Sequence, residues 1–312
     1  MEAALTRRIT FLPFLLGAPA LFVAASFTFA DELPAKEAVL LARLSARIDA
    51  IEARLDGVLG VYVRDLKTGH TIELRADEVF PTASSIKLAV LYELYRQAAE
   101  GGMIMGELTR PPLPRVKGGG VLQELGDRVT LSWRDLAVLM MGWSDNEATN
   151  LLIRRVGMDA VNRRLDALSL GRTRLRRQMM DLEAARRGDE NVSTPREIAR
   201  LAEVVATGEG VARAAADDLL LVATIRDEGS FFRRGLPEEQ RAVSKPGALE
   251  GVRCEAAWVD LPGRRYVAAV MTGYLQHEKD GEAAIAEISA AVYQTFDRLA
   301  RASEHGRVIS PK

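Results

Sequence analysis

Residues 80–94, FPTASSIKLAVLYEL, decide how the rest of the chain is read. Thr82 and Ser84 are residues favoured at helix N-termini, and Ile86, Leu88, Ala89, Val90, Leu91 and Leu94 make the following turns apolar on nearly every face, so the stretch predicts the first turns of a buried helix. Lys87 is the exception in that apolar run. It follows Ser84 by three residues, which puts hydroxyl and amine on one face of the first turn, where the helix dipole favours developing negative charge. A serine hydroxyl is inert at neutral pH until a neighbour takes its proton, and a lysine that is desolvated, or close to another cation, can do so. Taken alone, the Ser84-x-x-Lys87 spacing reads more readily as an exposed lysine beside a helix cap, because average composition yields about one such match in a chain of this length.

At 312 residues the chain has ample core for one large domain or two modest ones. Its 42 basic and 43 acidic residues nearly cancel, so no large field points to nucleic acid or an anionic membrane as partner. One cysteine, Cys254, excludes an internal disulfide. The three histidines, His70, His277 and His305, stand neither beside a plausible nucleophile nor in a metal spacing, so Ser-His-Asp and zinc chemistry both lack material and no metal or cofactor is expected. Residues 1–30 differ from the rest. Arg7 and Arg8 precede an apolar run over residues 9–29, and Thr28-Phe29-Ala30 ends it with small residues where a signal peptidase cuts. The expectation is a secretion signal over 1–30, a periplasmic or secreted product, and no stable membrane insertion after cleavage. The run is also long enough to span a bilayer, although Pro13 and Pro19 weaken it as a membrane helix.

Down the mature chain, residues 37–55 repeat apolar side chains at helical spacing and predict an opening amphipathic helix. Two strands, 58–63 and 71–74, flank a hairpin turn at Asp65-Leu66-Lys67-Thr68-Gly69. Gly118-Gly119-Gly120 lacks the residues of a phosphate cradle and reads as a flexible turn. From residue 130 to 204 the pattern is helical: Ser132 caps one helix, another starts near Glu147, and Pro195 opens a third after a cation-rich loop over 172–195 that encloses a short helical turn at 179–185. Short apolar runs at 242–244, 256–261 and 266–272 predict three antiparallel strands, and residues 283–300 a closing helix. The result is an α+β fold. Its five-stranded antiparallel sheet is flanked by the N- and C-terminal helices and interrupted by an all-helical insertion, with a cleft at the seam. One catalytic domain is expected over 31–312, its sheet part at about 31–83 and 230–304 and the insertion at about 84–229.

Ser84-x-x-Lys87, Ser144-Asp145-Asn146 and Lys245-Pro246-Gly247, met in that order on a helix, an interhelix turn and a strand, resemble the penicillin-recognising serine enzymes, specifically the class A β-lactamases. The likeness covers essentially the whole mature chain, and Gly251-Val252-Arg253 after the third motif is similar too. It implies a serine hydrolase acting on a small-molecule β-lactam or a peptidoglycan peptide through a Ser84 acyl-enzyme, without cofactor, and expected as a monomer. Ser84 attacks a carbonyl, and its backbone N–H with one near Ala248, after Gly247, forms an oxyanion hole. Lys87 is the candidate base, Ser144 passes a proton to the leaving nitrogen, Asn146 holds a substrate amide, and Lys245 attracts a substrate carboxylate, with Arg253 as a second contact. Asp145 is expected to tie its turn through backbone hydrogen bonds.

Two departures stand out. Pro246 replaces a hydroxyl residue, removing one donor and one N–H. Alignment also puts Met179 where the resemblance implies the deacylating glutamate, and a thioether cannot activate water. Glu183 is the nearest replacement, Asp181 second. The loop's usual arginine-to-acid bridge is expected to lack its acid, since Asn191 and Val192 occupy that region. The readings are a slow serine β-lactamase, a DD-peptidase or related acyl hydrolase on cell-wall peptides, and a penicillin-binding protein without turnover.

Overall fold

The computed structural model of the chain describes residues 35–225 and 228–309; the expected secretion signal lies outside them. Period-two alternation builds the sheet. In β5 (Tyr266–Gly273), Val267, Ala269 and Met271 enter one apolar cluster and Ala268 and Val270 another, so a strand buried on both faces forms the middle of the molecule. Around it lie β1 (Val58–Asp65), β2 (Thr71–Leu74), β3 (Ala242–Leu249) and β4 (Val252–Val259), in the spatial order β2-β1-β5-β4-β3, every pair antiparallel.

Against one face pack α1 (Ala35–Glu52), through Leu41, Leu44, Ile48 and Ile51, and α9 (Glu278–Ala300), through Ile285, Ile288, Val292 and Phe296. Their i, i+3, i+4 spacing gives each helix one apolar stripe to bury. The helical insertion covers the other face: α2 (Lys87–Ala99), α3 (Trp133–Gly142), α4 (Asn146–Val156), α5 (Met158–Ala167), α6 (Leu182–Arg186), α7 (Pro195–Thr207) and α8 (Arg213–Ala223). Sequence-readable caps start several of these. Ser132 and Asp135 form a reciprocal capping box on α3, Asp145 accepts from the Ala148 N–H on α4, and Thr194 precedes Pro195 at the first turn of α7. The α+β sandwich with an inserted helical block is therefore as expected. Among the described residues no helix is long and apolar enough to cross a membrane.

The differences from the sequence reading are local. β3 does not stop at Ser244 but runs through Lys245, Pro246 and Gly247 to Leu249, which proline allows because β3 is an edge strand. β4 starts at Val252 rather than 256. Thr82 caps nothing. The chain enters α2 through a 3-10 turn, Ala83–Ile86, and the Thr82 hydroxyl donates instead to the Asn191 carbonyl at 3.0 Å. The glycine run is no flexible turn either. A Cβ on Gly120, which has φ +92°, would stand 2.2 Å from the Asp145 carboxylate, so the strap is packed hard against the α3–α4 turn.

Candidate active site

The 3-10 turn and α2 together place Ser84 and Lys87. Ser84 is half-buried at the floor of a cavity of about 470 Å³ between the sheet and the helical block. Lys87 is fully buried, its Nζ 2.7 Å from the Ser144 carbonyl, 3.1 Å from the Ser144 Oγ and 3.1 Å from Asn146 Oδ1. A lysine in an apolar helix is costly to bury unless its hydrogen bonds are supplied. Here the α3–α4 turn supplies three acceptors.

That turn is held from behind. Asp145, completely buried, accepts from the N–H of Ala148 at 2.9 Å and of Leu122 at 2.7 Å, the backbone role its sequence position suggested. Asn146 donates its amide to the Gly118 carbonyl at 3.0 Å while its oxygen receives Lys87. Ser144 and Asn146 thus both face the cavity in fixed orientations. Ala83, Ser144 and Met180 adopt left-handed backbone (φ 45°, 52° and 61°), and all three border the cavity. Strain of about 1–3 kcal/mol per such residue persists only where its surroundings enforce it.

The third wall is the edge strand. The Ser85 hydroxyl donates to the Lys245 carbonyl at 2.8 Å, and the Cys254 thiol to the Thr82 carbonyl at 2.9 Å, so β3 and β4 are stitched to the nucleophile's turn. Gly247 makes the approach feasible: a Cβ there would meet the Thr82 carbonyl oxygen at 2.4 Å and the Cys254 sulfur at 2.6 Å. Pro246 and Ala248 border the cavity, whereas Lys245 is fully buried. Burial pushes the Cys254 thiol up to about 12, against the pull of its Ser85 hydrogen bond. Across from Pro246, buried Glu255 accepts from the Ser230 hydroxyl and from the N–H groups of Phe231 and Phe232, both at 2.8 Å. Burial raises that carboxyl's proton affinity, and those donors, with the charge of Lys245, pull it back.

The cation-rich loop forms the fourth wall, and here the sequence reading needs correction. Arg177 does have its acid: Glu190 takes the guanidinium at 2.9 Å, one residue before the region searched for it. Asn191 reinforces the clamp by accepting from the N–H groups of Arg176 and Arg177 at 2.7 and 3.1 Å. Met179 is 7% exposed and borders the cavity. Glu183 is not brought there. Asp181 caps α6 by accepting from the Ala184 N–H, Leu182 takes the place at the cavity wall, and Glu183 is exposed on the first turn. Arg253 does not border the cavity either; its Nε bonds Glu282 at 3.1 Å and its Nη1 the carbonyls of Leu249 and Val252.

Several residues at the site escaped sequence reasoning. Asn150 had a signal, since it follows Asn146 by four residues and shares its helix face. Arg177, Asn191, Arg234 and Glu282 had none beyond polarity. Among the described residues no cluster of potential ligands could hold a metal ion.

The model of a family described as the beta-lactamase enzyme family matches residues 43–296. A beta-lactamase of Streptomyces fradiae is 29% identical over 242 residues, covering 74% of this chain and 78% of that protein. A solved beta-lactamase from Sphaerobacter thermophilus is similar at a TM-score of 0.74 and 29% identity, over 81% of this chain and 96% of that one. A leucine-to-glutamate mutant of PBP-A, solved as an acyl-enzyme complex with penicillin G, is similar at a TM-score of 0.74 and 28% identity, over 82% of this chain and 97% of that one.

Proposed function

The chain belongs to the beta-lactamase enzyme family, and on that premise we propose that it is an exported serine hydrolase whose Ser84 is acylated by β-lactams and whose acyl-enzyme is released slowly. The carrying observation is the buried Lys87, one turn from Ser84 and 3.1 Å from the Ser144 hydroxyl. In this reading Lys87 takes the Ser84 proton as Oγ bonds the carbonyl carbon. The Ser144 hydroxyl delivers a proton to the departing nitrogen, and Lys87 replaces the one Ser144 has lost. The N–H groups of Ser84 and Ala248 receive the oxyanion, and removing one such donor typically costs about 10²–10³ in rate.

Slow release follows from what borders the cavity. Water must lose a proton to attack the acyl carbonyl, and the thioether of Met179 offers no useful acceptor. Among the described residues bordering the cavity the one carboxylate is Glu282, whose two oxygens are engaged by Arg253 at 3.1 Å and Arg234 at 3.3 Å. The same lack favours a second reading, in which the acyl group of a cell-wall peptide passes to an amine rather than to water. The PBP-A acyl-enzyme with penicillin G supports β-lactam acylation on this fold.

Intact-protein mass spectrometry with benzylpenicillin tests the proposal. An adduct on Ser84 that persists for minutes or longer and is absent in Ser84→Ala supports it. Return to the unmodified mass within seconds would show an efficient β-lactamase, and no adduct would remove the function altogether. Export, with the leader over residues 1–30 removed and one catalytic domain over 31–312, belongs to the same proposal and is tested by N-terminal sequencing of protein recovered outside the cytoplasm.

A further inference from the structure

The near-cancelling totals of acidic and basic residues conceal a local asymmetry. α1 and α9 lie antiparallel, and where the first half of one meets the last turns of the other a groove of about 150 Å³ opens between them. Arg43, Arg47 and Arg298 line it, and none of the described residues lining it is a carboxylate. Arg43 and Arg47 stand four apart on α1, a spacing at which like charges repel. Gln294 and Arg298 stand four apart on α9, and the Arg47 guanidinium donates to Gln294 Oε1 at 3.3 Å, so the two pairs face each other across the groove. The carboxylates of this end are engaged elsewhere: Glu37 holds Arg264 at 2.7 Å, Asp297 pairs with Arg301, and Glu304 lies 3.2 Å from His305. The same end exposes apolar side chains. The C-terminal tail folds back here, its His305 carbonyl accepting from Lys36 Nζ at 3.0 Å and its Ile309 N–H donating to the Arg301 carbonyl at 3.1 Å. Val39 on α1 is 51% exposed, and Val308 and Ile309 on the tail are 44% and 57% exposed. Single exposed valines are ordinary, but three apolar side chains grouped beside cations without acids mark a contact surface.

We propose that this pole, the arginine groove between α1 and α9 with Val39, Val308 and Ile309 beside it, docks the protein on an anionic phospholipid membrane. Guanidinium forks match the oxygens of a phosphodiester headgroup, and the apolar side chains enter the boundary between headgroups and acyl chains. A soluble polyanion would satisfy the arginines but leave the valines and isoleucine in water, so the mixed surface favours lipid. The order of the chain favours it too. Only residues 30–34 separate α1 from the apolar run over 9–29, so an exported chain keeps this pole tethered at the membrane until its leader is cut. Binding is peripheral and reversible, each arginine near an anionic surface contributing about fivefold. Arg298 follows Glu282, which borders the Ser84 cavity, by sixteen residues of α9, about 24 Å along the helix axis, so a docked molecule keeps that cavity away from the lipid. The inference holds whether or not Ser84 is acylated.

Vesicle flotation of the protein as recovered from expressing cells tests the proposal. Vesicles of equal parts phosphatidylcholine and phosphatidylglycerol should carry it at low ionic strength and release much of it as salt is added, while pure phosphatidylcholine vesicles should carry far less. Arg43→Gln, Arg47→Gln and Arg298→Gln combined should weaken partition into the anionic vesicles roughly a hundredfold. Arg110→Gln, Arg128→Gln and Arg163→Gln combined, which remove the same charge elsewhere on the surface, should change it by no more than about threefold. Val39→Ser with Ile309→Ser should weaken it a few-fold at low and high salt alike. All these positions are exposed, so each variant should keep the parent's thermal midpoint, which is measured alongside. Equal flotation with neutral and anionic vesicles overturns the proposal, and so does an equal loss in the two triple variants, which would trace binding to net charge. Retention on immobilised polyphosphate without flotation on anionic vesicles would give the groove to a soluble polyanion and overturn the membrane assignment.

Discussion

Asn150 grips Met179 by both ends of its carboxamide: the Met179 N–H donates to Oδ1 at 2.8 Å, and Nδ2 donates to the Met179 carbonyl at 3.0 Å. Both side chains are buried, so neither bond competes with water. The pair fixes the backbone of residue 179 independently of its own side chain, and that side chain borders the cavity. A carboxylate introduced by Met179→Glu therefore arrives already oriented. It is expected to shorten the penicillin adduct's lifetime by about two to four orders of magnitude, the range a positioned general base contributes. Glu183→Gln, at an exposed position, should leave the lifetime within about twofold. Time-resolved mass spectrometry reads both. An unchanged lifetime in Met179→Glu would show that the cavity lacks a site for the hydrolytic water.

The neck of the cation-rich loop provides a stability test. Arg177 is nearly buried and its charge is matched by Glu190 alone among the carboxylates it contacts. Breaking a fully buried pair costs about 3–5 kcal/mol because the remaining charge is stranded; Glu190 is partly exposed, so about 1–3 kcal/mol is expected for Glu190→Gln. The midpoint of thermal unfolding should fall, and hydrogen exchange over residues 174–192 should quicken before the sheet does. Exchange unchanged in that segment would mean that Asn191 and the Arg174–Val192 bridge close the loop unaided.

The five antiparallel strands, the cap at Ser132 and the three motifs were legible because each rests on local chemistry: short apolar runs for the strands, a hydroxyl oxygen before an apolar helix at Ser132, a lysine where an apolar residue belongs at 87. What was not legible depended on neighbours distant in sequence. Lys245-Pro246-Gly247 broke the strand pattern, and only the position of β3 at the sheet edge makes proline harmless there. Glu183 and Leu182 are adjacent, and which of them meets the cavity is set by the α6 cap at Asp181, one residue earlier. Arg253 looked available until α9, some thirty residues on, brought Glu282 against it.

Cys254 gives a pH signature. Burial pushes its thiol up to about 12, while an unfolded chain releases the proton near the ordinary thiol value of about 8.5. Between those values the folded protein holds a proton the unfolded one has lost, so stability falls as pH rises, by up to about 1.4 kcal/mol per pH unit from this group. Denaturant unfolding at pH 7 to 10 should show a steeper decline in the parent than in Cys254→Ala. Thiol reagents at pH 8 should modify Cys254 only in denaturant. Prompt labelling of the folded protein would contradict the burial that both expectations require.

At Gly247 the edge strand comes close against the nucleophile's turn. At Gly247 an added methyl would stand 2.4 Å from the Thr82 carbonyl oxygen, 2.6 Å from the Cys254 sulfur and 3.0 Å from the Ala83 Cβ. The sulfur belongs to a side chain and could be removed, but the oxygen is backbone, immediately before Ala83 and Ser84. Gly247→Ala must therefore move β3 away from the nucleophile's turn, carrying Ala248 and its oxyanion N–H with it. A displacement of about 1 Å in a catalytic group costs on the order of 10²-fold in rate, so acylation of Ser84 by benzylpenicillin should fall by at least that much. The fold should survive, because the contact lies at the edge strand and reaches only Ala83 and Cys254 among the residues of the two apolar clusters on either side of the sheet; circular dichroism checks this. Adding Cys254→Ala to Gly247→Ala should recover little, since the carbonyl contact remains. Recovery of the parent rate in that double variant would show that the sulfur, rather than the backbone of Thr82, sets the distance between strand and nucleophile.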